Sequence, residues 1–376
     1  MRSQRVPSDI VLSWGLGVRG ARARVLSRLL LAAGSVENAL ARPLGEAAAL
    51  AGAEIPEVTP LLDPSPAPGF DEARRRLEKA GARVVAICDA EYPALLRESP
   101  DPPPVLFARG RPLGDAPVVA LVGSRRATRT GLEEARLVAA GLARAGVIVV
   151  SGLAHGIDAA AHAAALEEGG ETWGILGCGV DVSYPAAHER LRARMLEGGA
   201  LLSELPPGTT PEPWHFPVRN RIIAGCARIV VVVEAALKSG SLITARCAAE
   251  AGRDVAAVPG PVIGDHAAGS NALLKDGAIL VRDATDVLRE LPDEDLCRLR
   301  PGWLPDQGTS GRPPDDPDAA RVLLALDAAE PRDADALAAA TGLSAARLSA
   351  ALVLLELEGL AEALPGAVFA RRRARA

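Results

Sequence analysis

The 376-residue sequence is 49% hydrophobic and 24% charged, the balance of a globular chain, so disorder is excluded and the length predicts two to three domains. A formal charge of −5 rules out a uniformly basic nucleic-acid binder and confines any phosphate contact to a local patch. Met1-Arg2-Ser3 opens no export signal, apolar runs stop well short of a membrane span, and Cys88, Cys178, Cys226, Cys247 and Cys297 lack paired-thiol or zinc spacing. Together these predict a reducing cytoplasm, no membrane, no metal and no cofactor.

In chain order, residues 1–62 read as a small helical domain. Leu26, Leu29, Leu30, Val36 and Leu40 form an apolar stripe, with Ser35 as an N-cap. The turn Gly15-Leu16-Gly17-Val18-Arg19-Gly20 has the pattern of a helix-hairpin-helix, whose backbone amides meet a DNA phosphate. A Gly-rich turn between two packed helices is the preferred reading. Residues 63–81, Pro-rich at the start, read as a linker region. Arg83–Ile87 and Val105–Phe107 then read as strands, separated by prolines that end regular structure.

From Ala116 the chain alternates strand, Gly-containing turn and helix. Val118–Val122 leads into Gly123-Ser124-Arg125; Val147–Val150 into Ser151-Gly152; Trp173–Leu176 into Gly177-Cys178-Gly179. Helical patterns follow the first two, and further strands are expected at 200–203, 229–233, 255–258 and 278–281. The fold class is therefore α/β: an extended, Rossmann-like open sheet over residues 82–290. Ile229–Val233, β-branched and without alternation, predicts a strand buried on both faces. The turn Lys238-Ser239-Gly240-Ser241 follows it, at the carboxyl end where such sheets bind ligands.

No G-x-G-x-x-G follows the first strand of this alternating run and no P-loop occurs, so neither NAD binding nor ATP hydrolysis has visible machinery. Instead Ser124, Arg125, Ser151, Gly152, Gly156, Arg219, Asn220, Arg221, Lys238, Ser239, Gly240 and Ser241 gather small turn-formers, hydroxyls, an amide and cations at strand ends. That is the chemistry of a polyanion site. Phe216 and Trp214, in a chain only 3% aromatic, offer faces on which a base stacks. Arg126 is expected to diverge from Arg125. Plainer readings stand beside these: Arg219 and Arg221 as solvated or paired with acids, Phe216 as core, and His155 and His162 in structural hydrogen bonds. Glu234 reads as a helix-dipole partner rather than a catalytic acid.

The motifs Val122-Gly123-Ser124-Arg125, Ser151-Gly152-Leu153-Ala154-His155-Gly156-Ile157-Asp158, Phe216-Pro217-Val218-Arg219-Asn220-Arg221 and Lys238-Ser239-Gly240-Ser241-Leu242, in this order and spacing, closely resemble the DNA-processing protein A (DprA/Smf) family. The resemblance continues through Gly252-Arg253-Asp254-Val255 and Val258-Pro259-Gly260. It implies a cytoplasmic, non-catalytic homodimer that binds single-stranded DNA and helps load the RecA recombinase in natural transformation or related recombination. By the same resemblance Arg125 holds a backbone phosphate, Phe216 lies near a base, and Arg219, Asn220, Lys238 and Ser239 complete the site. The helices of residues 1–62 resemble the family's small leading domain, of SAM or helix-hairpin-helix type. One departure is the pair Ala186 and Ala187, where the family often carries a cation; Arg190 and Arg192 are the candidates to compensate.

Residues 291–317 read as a linker, and 318–376 as a winged-helix-like domain with Asp333 and Ser344 as N-caps, Gly342 and Gly359 as C-caps, and a wing over 361–371. Its third helix offers Arg347 beside Glu356 and Glu358, which predicts a weak DNA contact or a protein contact rather than base reading. Arg371-Arg372-Arg373-Ala374-Arg375 is either a nonspecific attractor or a solvated terminus. Two other classes remain open: a phosphoribohydrolase-like enzyme, although the usual Pro-Gly-Gly-x-Gly-Thr turn is missing, and a protein-recruiting adaptor without DNA binding.

Overall fold

A computed structural model describes residues 7–63, 65–300, 316–326, 332–357, 360–364 and 368–371. The chain divides into two compact units, Met1–Pro301 and Gly302–Ala376.

The first unit begins with α1 (Pro7–Gly17), α2 (Ala21–Ala33), α3 (Val36–Ala41), α4 (Leu44–Ala51) and α5 (Ile55–Val58). Ser35 caps α3, its hydroxyl accepting from the Asn38 N–H at 3.1 Å. Leu26, Leu29 and Leu30 are fully buried in one apolar cluster with Val85 and Leu106 of the sheet, so these helices share the main core instead of closing their own. The linker region expected over 63–81 needs correction, because α6 (Phe70–Ala80) occupies its second half. Phe70, Ala73 and Leu77 are spaced at i, i+3 and i+7, and that stripe is buried against Leu12 and Phe107.

Nine strands form one sheet among the described residues: β1 (Ala82–Ala86), β2 (Val105–Gly110), β3 (Val118–Val122), β4 (Ile148–Ser151), β5 (Thr172–Ile175), β6 (Gly199–Ser203), β7 (Ile229–Val232), β8 (Asp254–Ala257) and β9 (Ile279–Leu280). Their order is β1-β2-β6-β5-β4-β3-β7-β8-β9. The two pairs β1/β2 and β2/β6 are antiparallel, and every other pairing is parallel.

Between and around the strands run α7 (Ala94–Arg97), α8 (Arg129–Ala145), α9 (Ile157–Glu167), α10 (Glu189–Gly198), α11 (His215–Cys226), α12 (Ser241–Glu250), α13 (Ala268–Lys275), α14 (Ala284–Arg289) and α15 (Asp293–Leu296). Along β3, Val118, Ala120 and Val122 face the cluster holding α11 and α12, while Val119 and Leu121 face the one holding α8 and α9. Two-sided burial is why these strands lack polar alternation. From β3 the chain winds one way through β4, β5 and β6, then crosses back to place β7 on the other side of β3. The sheet therefore has its topological switch point between β3 and β7, where a crevice opens at the carboxyl ends.

The first unit also runs past the expected boundary at 290. Leu291 and Leu299 are buried in the core, and Arg228, just before β7, is bridged to Asp295 at 2.7 Å and Glu294 at 2.8 Å. The linker expected at 291–317 thus begins as packed structure, and 301–315 lies outside the described residues.

The second unit contains α16 (Pro317–Ala325), α17 (Ala334–Thr341), α18 (Ala345–Leu357) and strands β10 (Arg332–Asp333), β11 (Ala361–Leu364) and β12 (Val368–Arg371). Asp333 caps α17 by accepting from the Ala336 N–H at 2.7 Å, and Gly342 ends it at φ 66°. β11 pairs antiparallel with β12, giving the expected wing. Arg347 donates to both carboxylate oxygens of Asp318, at 2.7 and 2.6 Å. Gly359, the side chain of Glu358 and Arg372 to Arg375 fall outside the described residues.

Candidate nucleic-acid interface

The crevice at the switch point is an open cleft of about 670 Å3, walled by the turns after β3 and β7 and by α11. Each turn is held by a polar contact at its base. The Ser124 N–H donates to the Glu234 carbonyl at 2.7 Å, joining the β3 and β7 ends. The Glu234 carboxylate accepts from the Thr128 N–H at 3.1 Å and from the Thr128 hydroxyl, and Thr128 caps α8. This is the helix-end role expected for Glu234. Gly156 starts α9 at φ 77°, and a Cβ there would lie 2.2 Å from the Ser124 carbonyl oxygen. Only glycine lets α9 approach the β3 turn this closely. That approach is the role the structure gives it.

Ser124, Arg125, Arg126, Phe216, Arg219, Asn220, Lys238, Ser239, Gly240 and Ser241 line the cleft together. Arg125 is exposed, forms no ion pair among the described residues, and stands over the Phe216 ring at 5.3 Å. Lys238 is likewise exposed and unpaired on the opposite wall. These two cations, with Arg126, are free to meet an anion. Arg126 therefore does not diverge from the cleft as expected, although the stacking over Phe216 belongs to Arg125. Ser239 and Ser241 share a hydrogen bond of 2.7 Å between their hydroxyls at the start of α12, and Asn220 Nδ2 donates to the Gly240 carbonyl at 3.3 Å, fixing this turn to α11.

Two expected contacts, at Gly152 and Arg221, are corrected by the geometry, and Arg219 has a structural role as well. The Gly152 N–H already donates to Asp158 Oδ2 at 3.1 Å, so it cannot serve a phosphate. Arg219 is only 4% exposed, and its guanidinium donates to the carbonyls of Gly152, at 2.8 Å, and Ile175. It is a strut between the ends of β4 and β5; burial pulls its pKa down to about 10, with Asp158 opposing, and it remains charged. Its Nε has no acceptor among the described residues, so it keeps a donor as well as its charge at the cleft wall. Arg221 points away from the cleft, bridged to Glu204 at 2.7 Å and Asp101 at 3.3 Å. Successive helical residues turn by about 100°, so 219, 220 and 221 cannot share one face.

Phe216 is half-buried, with Tyr184 tilted against it at 5.7 Å between centroids. A Cβ at Gly177 would lie 2.8 Å from the Phe216 ring, so glycine gives the ring its seat. Tyr184 was missing from the expected site; its own side chain type, an aromatic beside a proline in an aromatic-poor chain, was the available signal. Trp214 is 62% exposed next to this pair and packs on His215. His162 makes the structural hydrogen bond expected of it, to Thr172 Oγ1 at 2.7 Å, and burial holds it neutral, with a pKa lowered to about 3. His155 instead makes a ring contact with His188, centroids 4.6 Å apart. Arg192 is buried at 4% exposure and cannot replace a cation at Ala186 or Ala187; Arg190 is exposed.

Residues 83–292 match the family model of DNA recombination-mediator protein A, and residues 308–367 match that of the DprA winged helix domain. Protein Smf of Escherichia coli is 40% identical over 304 residues, which cover 79% of this chain and 80% of that protein. DNA processing protein DprA of Streptococcus pneumoniae is 46% identical over 222 residues, 59% of this chain and 78% of the relative. The crystal structure of the Streptococcus pneumoniae protein superposes with a TM-score of 0.63 at 36% identity, covering 77% of this chain and 99% of that one. A structure of DNA processing protein A from Helicobacter pylori, described for its single-stranded DNA binding mode, gives a TM-score of 0.50 at 28% identity over 55% of this chain and 93% of that one.

Proposed function

Because this chain belongs to the DNA recombination-mediator protein A family, we propose that its switch-point cleft holds the backbone of single-stranded DNA, with Arg125, Lys238 and the Ser239–Ser241 turn meeting phosphates and Phe216 and Tyr184 meeting bases. The observation that carries this reading is the unpaired Arg125 standing over Phe216 at the cleft mouth: one cation and one ring, spaced for a phosphate and its base. A relative described as binding single-stranded DNA supports it. Backbone amides and cations grip any sequence, so little base preference is expected.

We extend the reading to recombination mediation, in which a homodimer in the cytoplasm presents the bound strand to the RecA recombinase without a chemical step. The cleft holds cations and turns but, among its described residues, no nucleophile paired with a base, which favours binding over catalysis. Fluorescence anisotropy of oligo-dT against a duplex of equal length, across a salt series, tests the reading. Preference for the single strand with a steep salt dependence is expected. Equal affinity for both forms, or dependence on one base sequence, would sink it.

A further inference from the structure

Residues 10–36 contain four arginines, Arg19, Arg22, Arg24 and Arg28, and no Asp or Glu. All four are exposed on the turn between α1 and α2 or along α2. Arg19 folds back on the carbonyls of Gly15 and Val18, at 2.7 and 2.6 Å. The side chains of Arg22, Arg24 and Arg28 make no hydrogen bond or ion pair among the described residues. Arg24 and Arg28 stand at i, i+4, where like charges destabilise a helix. The neighbouring α6 shows the compensated alternative: Arg74 pairs with Glu78 and Asp9, Arg75 with Glu72, and Arg76 with Glu72 and Asp181. On α2 the outward pair Arg24 and Arg28, about 40° apart around the helix, has no ion-pair partner among the described residues.

A second observation points the same way. Arg19 and Arg24 wall a pocket whose far side is Arg221. Arg221 gives Nη2 to Glu204 and Nε to Asp101, yet its Nη1 is buried without an acceptor. Both acids of this pocket are engaged by Arg221, and its remaining donor still lacks an oxygen acceptor.

We propose that the α1–α2 turn, the outward face of α2 and Arg221 form a second seat for phosphates of the same single strand that occupies the cleft. The proposal rests on the cleft reading, since α11 links the two seats: Phe216 and Asn220 face one, Arg221 the other. A strand leaving the cleft crosses one helix diameter, about 10 Å, to reach it, a span of a few nucleotides.

The test compares the full-length protein with Arg24→Ala/Arg28→Ala on oligo-dT of about 8 nucleotides, enough for one seat, and of several times that length. Wild type is expected to bind the longer strand more tightly. The double variant should lose several-fold on the long strand and show a log-log salt slope shallower by about 1.4, at about 0.7 per contact, with short-strand affinity unchanged. Arg74→Ala/Arg75→Ala, whose charges are already paired, should bind both lengths as wild type does. If the alanine variant fails to fold by circular dichroism, Arg24→Gln/Arg28→Gln keeps the long stems and carries the same expectation. A folded variant that binds the long strand like wild type, or that loses the short strand equally, overturns the second seat. A wild type that binds both lengths equally overturns it while leaving the cleft standing; one that binds neither removes the cleft reading as well.

Discussion

The cleft of the first unit and the third helix of the second are both places where a DNA-binding protein carries arginine, and they differ in what the arginine touches. Arg125 has a ring beneath it and no acid beside it, whereas Arg347 is held by both oxygens of Asp318. A guanidinium paired with both oxygens of one carboxylate has its charge offset and two donors engaged; an unpaired one keeps all of them for a ligand. Counting cations along a sequence therefore measures very little about phosphate affinity. Their partners decide it.

The largest effect that sharpens this contrast is on the frame of the cleft. Gly156→Ala places a methyl group against the Ser124 carbonyl at a positive φ, and should cost about 3 kcal/mol or more of stability by urea unfolding. Gly342→Ala in the second unit has φ 66° but open space around it, so about 1 kcal/mol is expected. Similar losses at both positions would show that the β3 turn is not held by this approach.

Next comes the ligand itself. Arg125→Ala should weaken single-strand binding by roughly 1.5–3 kcal/mol and flatten the salt slope by about 0.7, while Arg347→Ala should change affinity by less than about 0.5 kcal/mol. Arg126→Ala should fall between them. A larger loss from Arg347→Ala than from Arg125→Ala would reverse the comparison.

A smaller effect separates the units by acid. His162 has a folded pKa lowered to about 3 by burial, below the usual value near 6.5, so the unfolded chain binds a proton there that the folded chain does not. Stability contributed by this group is complete above the unfolded pKa and is lost as pH falls from about 6.5 towards 3, at no more than about 1.4 kcal/mol per pH unit. Urea unfolding of wild type and His162→Gln between pH 6.5 and 5 should show a steeper fall in wild type. The second unit has no histidine at all, so its unfolding should be flat over that range.

The smallest expected effect is that of removing residues 301–376: single-strand affinity should stay within about twofold, since every cleft residue precedes the cut. The cut belongs after Arg300, because ending at 291 would remove buried Leu299 and the Asp295 partner of Arg228.

The sheet was legible because two-sided burial leaves an unmistakable run of Val and Ile, and the cleft turns were legible because glycine, serine and cations cluster where strands stop. Direction was not legible. Arg219, Asn220 and Arg221 read as one polar triplet, and only the phase of α11 sends the first into the sheet ends, the second to the Gly240 turn and the third to Glu204. Nor does a sequence say that Asp158 has claimed the Gly152 N–H. The helix over 70–80 hid behind its own charges, its buried side reduced to Phe70, Ala73 and Leu77.

The pairing of β3 with β7, Val122 beside Val232, has a consequence for when the protein acquires its grip. Arg125 leaves the ribosome early, but the wall opposite it, Phe216 to Ser241, is translated only after β4, β5 and β6. A nascent chain halted before Phe216 carries half of a binding site, and until Ile229–Val232 is made the free edge of β3 has no neighbour. The cleft is complete only once the return strand arrives, so its grip belongs to a late stage in the folding of this unit.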